Sequence, residues 1–160
     1  MNLLLQAGNR YPARGFSLIE LIAVMLLLGI LGVVALGRIG GMDGYRSLGF
    51  FNETVNGLRY AQKLAVATGC RVQARIDASG WQLWQGDSCN SASYSLPVRD
   101  PAQRDQPYQR TAPAGSSIAP VINLVFAPDS TVEGISADQT FTIDGRSLIV
   151  HRLSGWVDAL

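Results

Sequence analysis

The stretch that decides the fold is Arg14-Gly15-Phe16-Ser17-Leu18-Ile19-Glu20-Leu21-Ile22, which opens an apolar run that reaches Leu36. Between Phe16 and Leu36, only Ser17 and Glu20 carry a side-chain oxygen or nitrogen atom. As an α-helix this run would extend about 30 Å, which matches the hydrocarbon core of a bilayer. The sequence therefore predicts a transmembrane helix over residues 16–36.

Glu20 is the one charged residue inside this run. A charge in hydrocarbon costs about 3 kcal/mol on insertion scales, unless it lies near the edge or finds a partner. Glu20 would lie about 6 Å along the helix from Phe16, just below the membrane surface. Two interpretations stay open: the carboxylate reaches the interface by itself, or it pairs with a cation within the membrane.

Residues 1–15 precede the run and include two arginines, a proline and two glycines, which favours a short cytoplasmic leader over a folded element. A secretory signal is the main alternative, because Val33-Val34-Ala35 resembles a small-residue cleavage site. However, the apolar core exceeds the usual length of about 7–15 residues and contains Glu20. The leader is therefore the preferred interpretation.

Gly15 and the following Phe16-Ser17-Leu18-Ile19-Glu20-Leu21-Ile22 closely resemble the N-terminal processing and methylation motif of type IV pilins and of the pseudopilins of type II secretion. In that family a membrane peptidase cuts after the glycine and methylates the new N-terminal residue. The resemblance implies cleavage between Gly15 and Phe16 and N-methylation of Phe16. It also implies that Glu20 neutralises the N-terminal amine of a neighbouring subunit during filament assembly.

The same resemblance implies an α+β, pilin-like fold. A long N-terminal helix, membrane-spanning in its first half and amphipathic in its second, would pack on an antiparallel β-sheet. The implied partners are other pilin or pseudopilin subunits, the prepilin peptidase, the inner-membrane assembly platform and the inner membrane. The chain would cross the inner membrane once, with a periplasmic C-terminal domain, before it assembles into a pilus or pseudopilus. Many major pilins carry a proline where this chain has Gly37, so no specific kink is predicted there.

Charge gives little support to nucleic-acid binding. Removal of residues 1–15, which hold Arg10 and Arg14 and no acidic residue, would leave 11 basic and 12 acidic side chains. This balance provides no bulk positive field, although a local patch stays open.

The two cysteines, Cys70 and Cys89, fit the periplasmic placement. In that compartment they predict a disulfide worth about 3 kcal/mol in the chain-entropy model. Two unpaired thiols in a reduced compartment are the alternative.

Residues 37–49 are glycine-rich and are predicted to be a flexible or loosely helical link. The remaining residues, 50–160, are long enough for one α+β domain. This domain opens with apolar residues at spacings of three and four, which are Phe51, Val55, Leu58, Ala61, Leu64 and Ala65. The pattern predicts an amphipathic helix that ends near Gly69 and packs its apolar face on a sheet.

Beyond Gly69 the apolar period changes to two, which predicts a β-hairpin over residues 71–84 with its turn at 77–80. Arg71 and Arg75 with Trp81 and Trp84 could form a basic aromatic surface for single-stranded nucleic acid. Outward-facing arginines opposite two core tryptophans are the preferred interpretation.

The rest of the domain combines a long loop with further strands. Residues 99–119 have no period and contain three prolines, so they are predicted to be disordered or a recognition surface. Residues 121–126 predict a buried strand. The C-terminal part predicts an antiparallel meander with a two-residue turn at Asp144-Gly145.

No catalysis, cofactor or metal is expected. The single histidine, His151, has no recognisable nucleophile or carboxylate arrangement to serve it, and the sequence lacks His-Cys metal spacing and phosphate-binding glycine loops. We interpret His151 as a surface or satisfied core histidine.

The layout is similar to minor subunits of the family: the H-type pseudopilins of type II secretion and the minor pilins of mannose-sensitive haemagglutinin pili. The leading hypothesis is a structural minor pilin or pseudopilin that acts in initiation or at the tip. The alternative is a DNA-binding minor pilin for natural transformation, in which Arg146 and Arg152, with Arg71 and Arg75, contact phosphates. The charge balance of the cleaved chain argues against that alternative.

Overall fold

The computed structural model describes residues 17–36, 42–89 and 91–160. They belong to two compact units, Met1–Gly41 and Met42–Leu160. The first unit contains helix α1, Leu18–Leu36. The second contains helix α2, Met42–Thr68, followed by ten strands. The leader, Gly15, Phe16 and Gly37 lie outside the described residues.

Helix α1 exposes its apolar side chains. Every side chain described from Ser17 to Leu31 is exposed, including Leu18 at 76% and Met25 at 64%. The carbonyl of Ser17 accepts the first backbone hydrogen bonds, from the N–H groups of Glu20 at 3.0 Å and Leu21 at 3.2 Å.

Among the described residues, no helix combines the length and the apolarity required to cross a membrane.

Helix α2 begins at Met42, so residues 42–49 are helical, which was one of the two alternatives for the predicted link. Glycine costs a helix about 1 kcal/mol relative to alanine, and tertiary contacts offset this cost. Phe50 and Phe51 are each only 4% exposed. The hydroxyl of Ser47 also donates a hydrogen bond of 2.5 Å to Asp144, nearly a hundred residues away.

The apolar face of α2 packs on the sheets, as predicted. Of the six residues in the expected stripe, five are buried and Leu64 is partly buried against the same core. The helix ends at Thr68. Gly69 follows with a φ of 70° and donates its N–H to the carbonyl of Ala65 at 3.0 Å, a left-handed ending that suits glycine.

The strands form two antiparallel sheets rather than the single sheet predicted. Their bounds are β1 Val72–Asp77, β2 Gly80–Gln85, β3 Leu96–Pro97, β4 Gln109–Thr111, β5 Ile118–Ala119, β6 Ile122–Phe126, β7 Val132–Glu133, β8 Gln139–Ile143, β9 Arg146–Val150 and β10 Val157–Ala159. The first sheet has the order β3-β2-β1-β6-β7, with β4 also paired to β2, and the second has the order β10-β9-β8-β5. Alternation of apolar and polar residues reveals the buried face of a strand but not the strand with which it pairs. The division into two sheets was therefore not predicted from the sequence.

Both sheets contribute to one core. Leu83 and Leu124 of the first sheet and Phe141, Leu148 and Val157 of the second belong to the same buried cluster, together with the apolar face of α2. The core therefore lies where α2 and both sheets meet.

The segment 99–119 is structured, which the lack of a period did not reveal. It contains β4, β5 and a bridge between Arg99 and Pro107. At its base, the Asp100 carboxylate is buried and accepts hydrogen bonds from the Ala102 N–H at 2.8 Å and from Arg110 at 2.9 Å. Burial by itself raises the pKa of Asp100, but these hydrogen bonds outweigh it and hold the pKa below its ordinary value. An ion pair between residues ten apart thus helps to order this segment, and no periodic pattern in the sequence reveals it.

The predicted turn at Asp144-Gly145 joins β8 to β9 and holds three segments together. Asp144 and Gly145 both have positive φ, 49° and 80°, as a type I′ hairpin turn requires. The Asp144 carboxylate accepts hydrogen bonds from the hydroxyls of Ser47 at 2.5 Å and Ser116 at 3.0 Å, and from the N–H of Ser117 at 2.7 Å. One side chain therefore connects α2, the turn and the segment before β5.

Helix α2 lies close against the first sheet at Gly57, and this contact yields a prediction. A Cβ added to Gly57 would lie 2.7 Å from Cζ2 of the buried Trp81 ring. We expect Gly57→Ala to lower the free energy of unfolding by about 1–3 kcal/mol, because the indole cannot move without repacking the core. Gly49→Ala is the matched control, since no atom lies within 4 Å of the added methyl group. Denaturant unfolding of both variants measures the difference, and equal stability would contradict the proposed close packing.

The contacts of Asp144 predict that part of the free energy of unfolding is lost at acid pH. The hydrogen bond from Ser47, with those from Ser117 and Ser116, lowers the pKa of Asp144 below its ordinary value of 3.8. Its stabilising effect is therefore present above that value and is lost as the pH falls through the folded-state pKa. We expect Asp144→Asn to lose about 1–2 kcal/mol of unfolding free energy at pH 7 and to show a weaker dependence on acid pH.

Urea unfolding between pH 3 and pH 7 checks this expectation. Asp105→Asn is the control, because Asp105 is exposed on the segment between β3 and β4. If the free energy of unfolding of the two variants depended on pH in the same way, the stabilising role proposed for Asp144 would be wrong.

Candidate functional site

Glu20 lies in the first turn of α1 and is the only charged residue of that helix. A carboxylate in the first turn interacts favourably with the positive end of the helix dipole. Its side chain is exposed, and its neighbours Ile19 and Leu21 are exposed apolar residues. The arrangement presents a single carboxylate on an otherwise apolar helix, and such a group can bind a cation brought by another molecule.

The cleavage position between Gly15 and Phe16 precedes the described residues. Glu20 is thus the one residue of the predicted processing and assembly site whose position can be described.

The structure joins Cys70 and Cys89 in a disulfide, with their Cα atoms 4.2 Å apart. Cys70 lies between the end of α2 and the start of β1, and Cys89 lies in the loop after β2. The bond therefore closes the loop that contains the first hairpin, as the cysteine spacing suggested.

The two arginines considered for DNA binding are not brought together. Arg146 opens β9, whereas Arg152 follows the end of that strand, about 20 Å away along an extended chain. Arg146 donates to the hydroxyl of Ser47 at 3.3 Å, and Arg152 donates to the carbonyl of Ile135 at 3.1 Å. Each side chain is engaged in a separate local contact.

The basic aromatic surface on the first hairpin is only partly present. Trp81 is buried, but Trp84 lies on the opposite face, with the guanidinium of Arg75 4.4 Å from the centre of its ring. The prediction of two core tryptophans was wrong, because residues three apart on a strand point to opposite faces. Arg71 forms an ion pair of 3.1 Å with Glu133.

His151 has two carboxylate partners that the sequence interpretation missed. Its Nδ1 lies 2.7 Å from Asp138 and its Nε2 lies 3.2 Å from Asp158. The hydrogen bond to Asp138, followed by that to Asp158, raises the pKa of His151 above its ordinary value. The partners are 13 and 7 residues away in the chain, so they come together only through the pairing of β8, β9 and β10. No local motif could have identified them.

Within residues 17–36, 42–89 and 91–160, no group of three or more histidine, cysteine, aspartate or glutamate side chains has an arrangement that could hold a metal ion.

The family model of the prokaryotic N-terminal methylation motif matches residues 10–36. Among solved structures, the fold is similar to that of the type IV minor pilin FimU of Pseudomonas aeruginosa strain PAO1. That comparison has a TM-score of 0.51 at 16% sequence identity and covers 71% of this chain and 91% of that chain. The minor pseudopilin EpsH from the type 2 secretion system of Vibrio cholerae matches with a TM-score of 0.49 at 15% identity, covering 68% and 91% of the two chains. No curated protein matches the chain.

The comparison with FimU confirms the predicted α+β, pilin-like fold, with a helix packed on antiparallel sheets. The methylation motif covers the N-terminal positions on which the resemblance was based, among them Gly15, Phe16 and Glu20. The chain therefore combines an N-terminal methylation motif at residues 10–36 with a fold similar to that of a type IV minor pilin.

Proposed function

We propose that the chain is a minor pilin or pseudopilin, a structural subunit of a type IV pilus or of a type II secretion pseudopilus that acts in initiation or at the tip. The observation that carries the proposal is the methylation motif at residues 10–36, placed ahead of a pilin-like domain. The similarity to FimU, a type IV minor pilin, supports the minor role.

Processing is the first step of the proposed function. The motif implies that a prepilin peptidase cleaves between Gly15 and Phe16 and that the new N-terminal amine on Phe16 is methylated. Loss of residues 1–15 would place that amine at the start of the apolar run. The amine keeps its positive charge after methylation, so it remains a partner for a carboxylate.

Residues 16–36 are proposed to anchor the chain in the inner membrane, with the second unit in the periplasm. The exposed apolar side chains of α1 favour this placement, because such a surface requires lipid or another apolar helix around it. The Cys70–Cys89 disulfide is also expected in an oxidising compartment. After extraction from the membrane, the same surface would pack against other pilin subunits in the filament core, with the inner-membrane assembly platform as a transient partner.

Glu20 is proposed to pair with the Phe16 amine of a neighbouring subunit. In an apolar setting an unpaired carboxylate costs about 3 kcal/mol. A cation from the next subunit removes that cost only when the subunits are in register, so Glu20 would select the correct position during assembly.

The DNA-binding alternative has less support. Arg146 is the first residue of β9 and Arg152 follows the other end of that strand, and Arg71 is paired with Glu133. A phosphate-binding surface needs several such cations on one face, so the structural role is preferred.

Peptide mass spectrometry on the protein purified from membranes of its host tests the processing step. We expect the mature chain to begin with N-methylated Phe16, because the resemblance to prepilins implies cleavage after Gly15. Cells that lack the prepilin peptidase are the control and should yield a chain that keeps residues 1–15. A chain beginning after Ala35 would contradict the proposal.

Replacement of Glu20 tests the assembly step separately. We expect Glu20→Ala to be inserted and processed normally but to enter filaments at least tenfold less, because the Phe16 amine of the neighbouring subunit would lack its partner. An unpaired charge in an apolar setting costs about 3 kcal/mol, which corresponds to more than a tenfold change in an equilibrium constant. Glu20→Asp keeps the charge and should retain part of the incorporation. The measurement is the ratio of this subunit in sheared filaments to that in membranes. Normal incorporation of Glu20→Ala would show that the carboxylate has another role.

A further inference from the structure

We propose that His151 is a proton-dependent clamp, which holds the turn 151–156 in its folded geometry through Asp138 on one side and Asp158 on the other. The clamp concerns the second unit alone and is independent of the proposed assembly role of Glu20.

The two ring nitrogens provide the first argument. Nδ1 lies 2.7 Å from one carboxylate oxygen and Nε2 lies 3.2 Å from another. A carboxylate can only accept a hydrogen bond, and a neutral imidazole carries a single N–H. Both contacts are therefore satisfied only when both nitrogens are protonated. The two distances fit an imidazolium that bridges two carboxylates.

The surrounding contacts show what the clamp holds. The second oxygen of Asp138 accepts the backbone N–H of Arg152 at 2.9 Å, and the second oxygen of Asp158 accepts the indole N–H of Trp156 at 2.6 Å. The backbone N–H of His151 donates to the carbonyl of Trp156 at 2.8 Å, which closes the turn. The residue before β8, the turn and strand β10 thus meet at one ring.

Two further charged groups lie at this cluster. The Arg152 guanidinium donates to the carbonyl of Ile135 at 3.1 Å. From helix α2, the Arg59 guanidinium lies 5.7 Å from the centre of the Trp156 ring and donates to the carbonyl of Val157 at 2.8 Å and 2.9 Å. Both cations are held by carbonyl groups, and neither replaces the imidazolium between the carboxylates.

Deprotonation would leave one ring nitrogen with a lone pair facing a carboxylate oxygen. The longer contact, to Asp158, is the one expected to open. The Asp158 carboxylate also accepts a hydrogen bond from the indole N–H of Trp156. Release of Asp158 from His151 would therefore change the position of the Trp156 ring. Leu153 and Trp156 are 74% and 51% exposed, so the clamp controls how the protein presents two apolar side chains.

The direction of the pH dependence follows from the partners. The carboxylates favour the charged ring, so the clamp is complete at pH values below the ordinary pKa of 6.5 and is lost as the pH rises through the higher folded-state pKa of His151. A domain exposed to the medium would meet such changes of pH.

The experiment is an NMR titration of the full-length, ¹⁵N-labelled chain in detergent micelles between pH 5 and pH 9. Because the chain has a single histidine, one set of ring nitrogen signals reports the protonation state directly. We expect both nitrogens to be protonated at low pH, with a midpoint above 6.5. We also expect the indole N–H signal of Trp156, assigned with Trp156→Phe, to shift with the same midpoint.

Three variants separate the clamp from a merely exposed histidine. Asp138→Asn should move the midpoint toward 6.5, and Asp158→Asn should move it less. His151→Gln should abolish the pH response of the Trp156 indole signal. A midpoint at or below 6.5 in the unmodified chain, or an indole signal that does not follow the histidine, would overturn the proposal. The midpoint in the unmodified chain needs no variant, so it tests the proposal even where a variant fails to fold.

Discussion

The second unit depends on the close packing of α2 against the first sheet. Gly57 lets the helix lie directly on the Trp81 ring, and any side chain at this position would separate the two layers. Trp81 in turn contacts the ring of Tyr108 edge to face, with the ring centres 5.1 Å apart. Through Tyr108 the helix also orders the segment before β4, whose polar residues could not form a core of their own. The tight contact therefore determines the arrangement of a much longer part of the chain.

The elements that the sequence predicted best are those whose signal is local. The buried stripe of α2 repeats every three or four residues, and the Asp144-Gly145 turn needs only two residues in the left-handed region. Features that depend on distant partners were not predictable in this way. The start of α2 in a glycine-rich stretch is stabilised by Phe50, Phe51 and the bond from Ser47 to Asp144. The order within segment 99–119 depends on a buried aspartate and its arginine.

The candidate sites also differ in whether their sequence signal is local or depends on distant partners. The methylation motif is contiguous, so Gly15, Phe16 and Glu20 could be proposed as site residues without a structure. The His151 cluster could not, because its two aspartates reach the ring only through the register of the second sheet. Trp84 is an instructive intermediate case. Its distance of three residues from Trp81 was enough to place the two rings on opposite faces, although their shared residue type suggested a common core.

The outer strands of both sheets are short. Strands β3, β5 and β7 have two residues each, and β10 has three. A long, unpaired strand edge is a template for uncontrolled addition of further chains, and two or three residues offer too few backbone groups to sustain it. Addition of a further chain to these described sheet edges is therefore suppressed, because each edge offers a foreign strand only a few backbone partners.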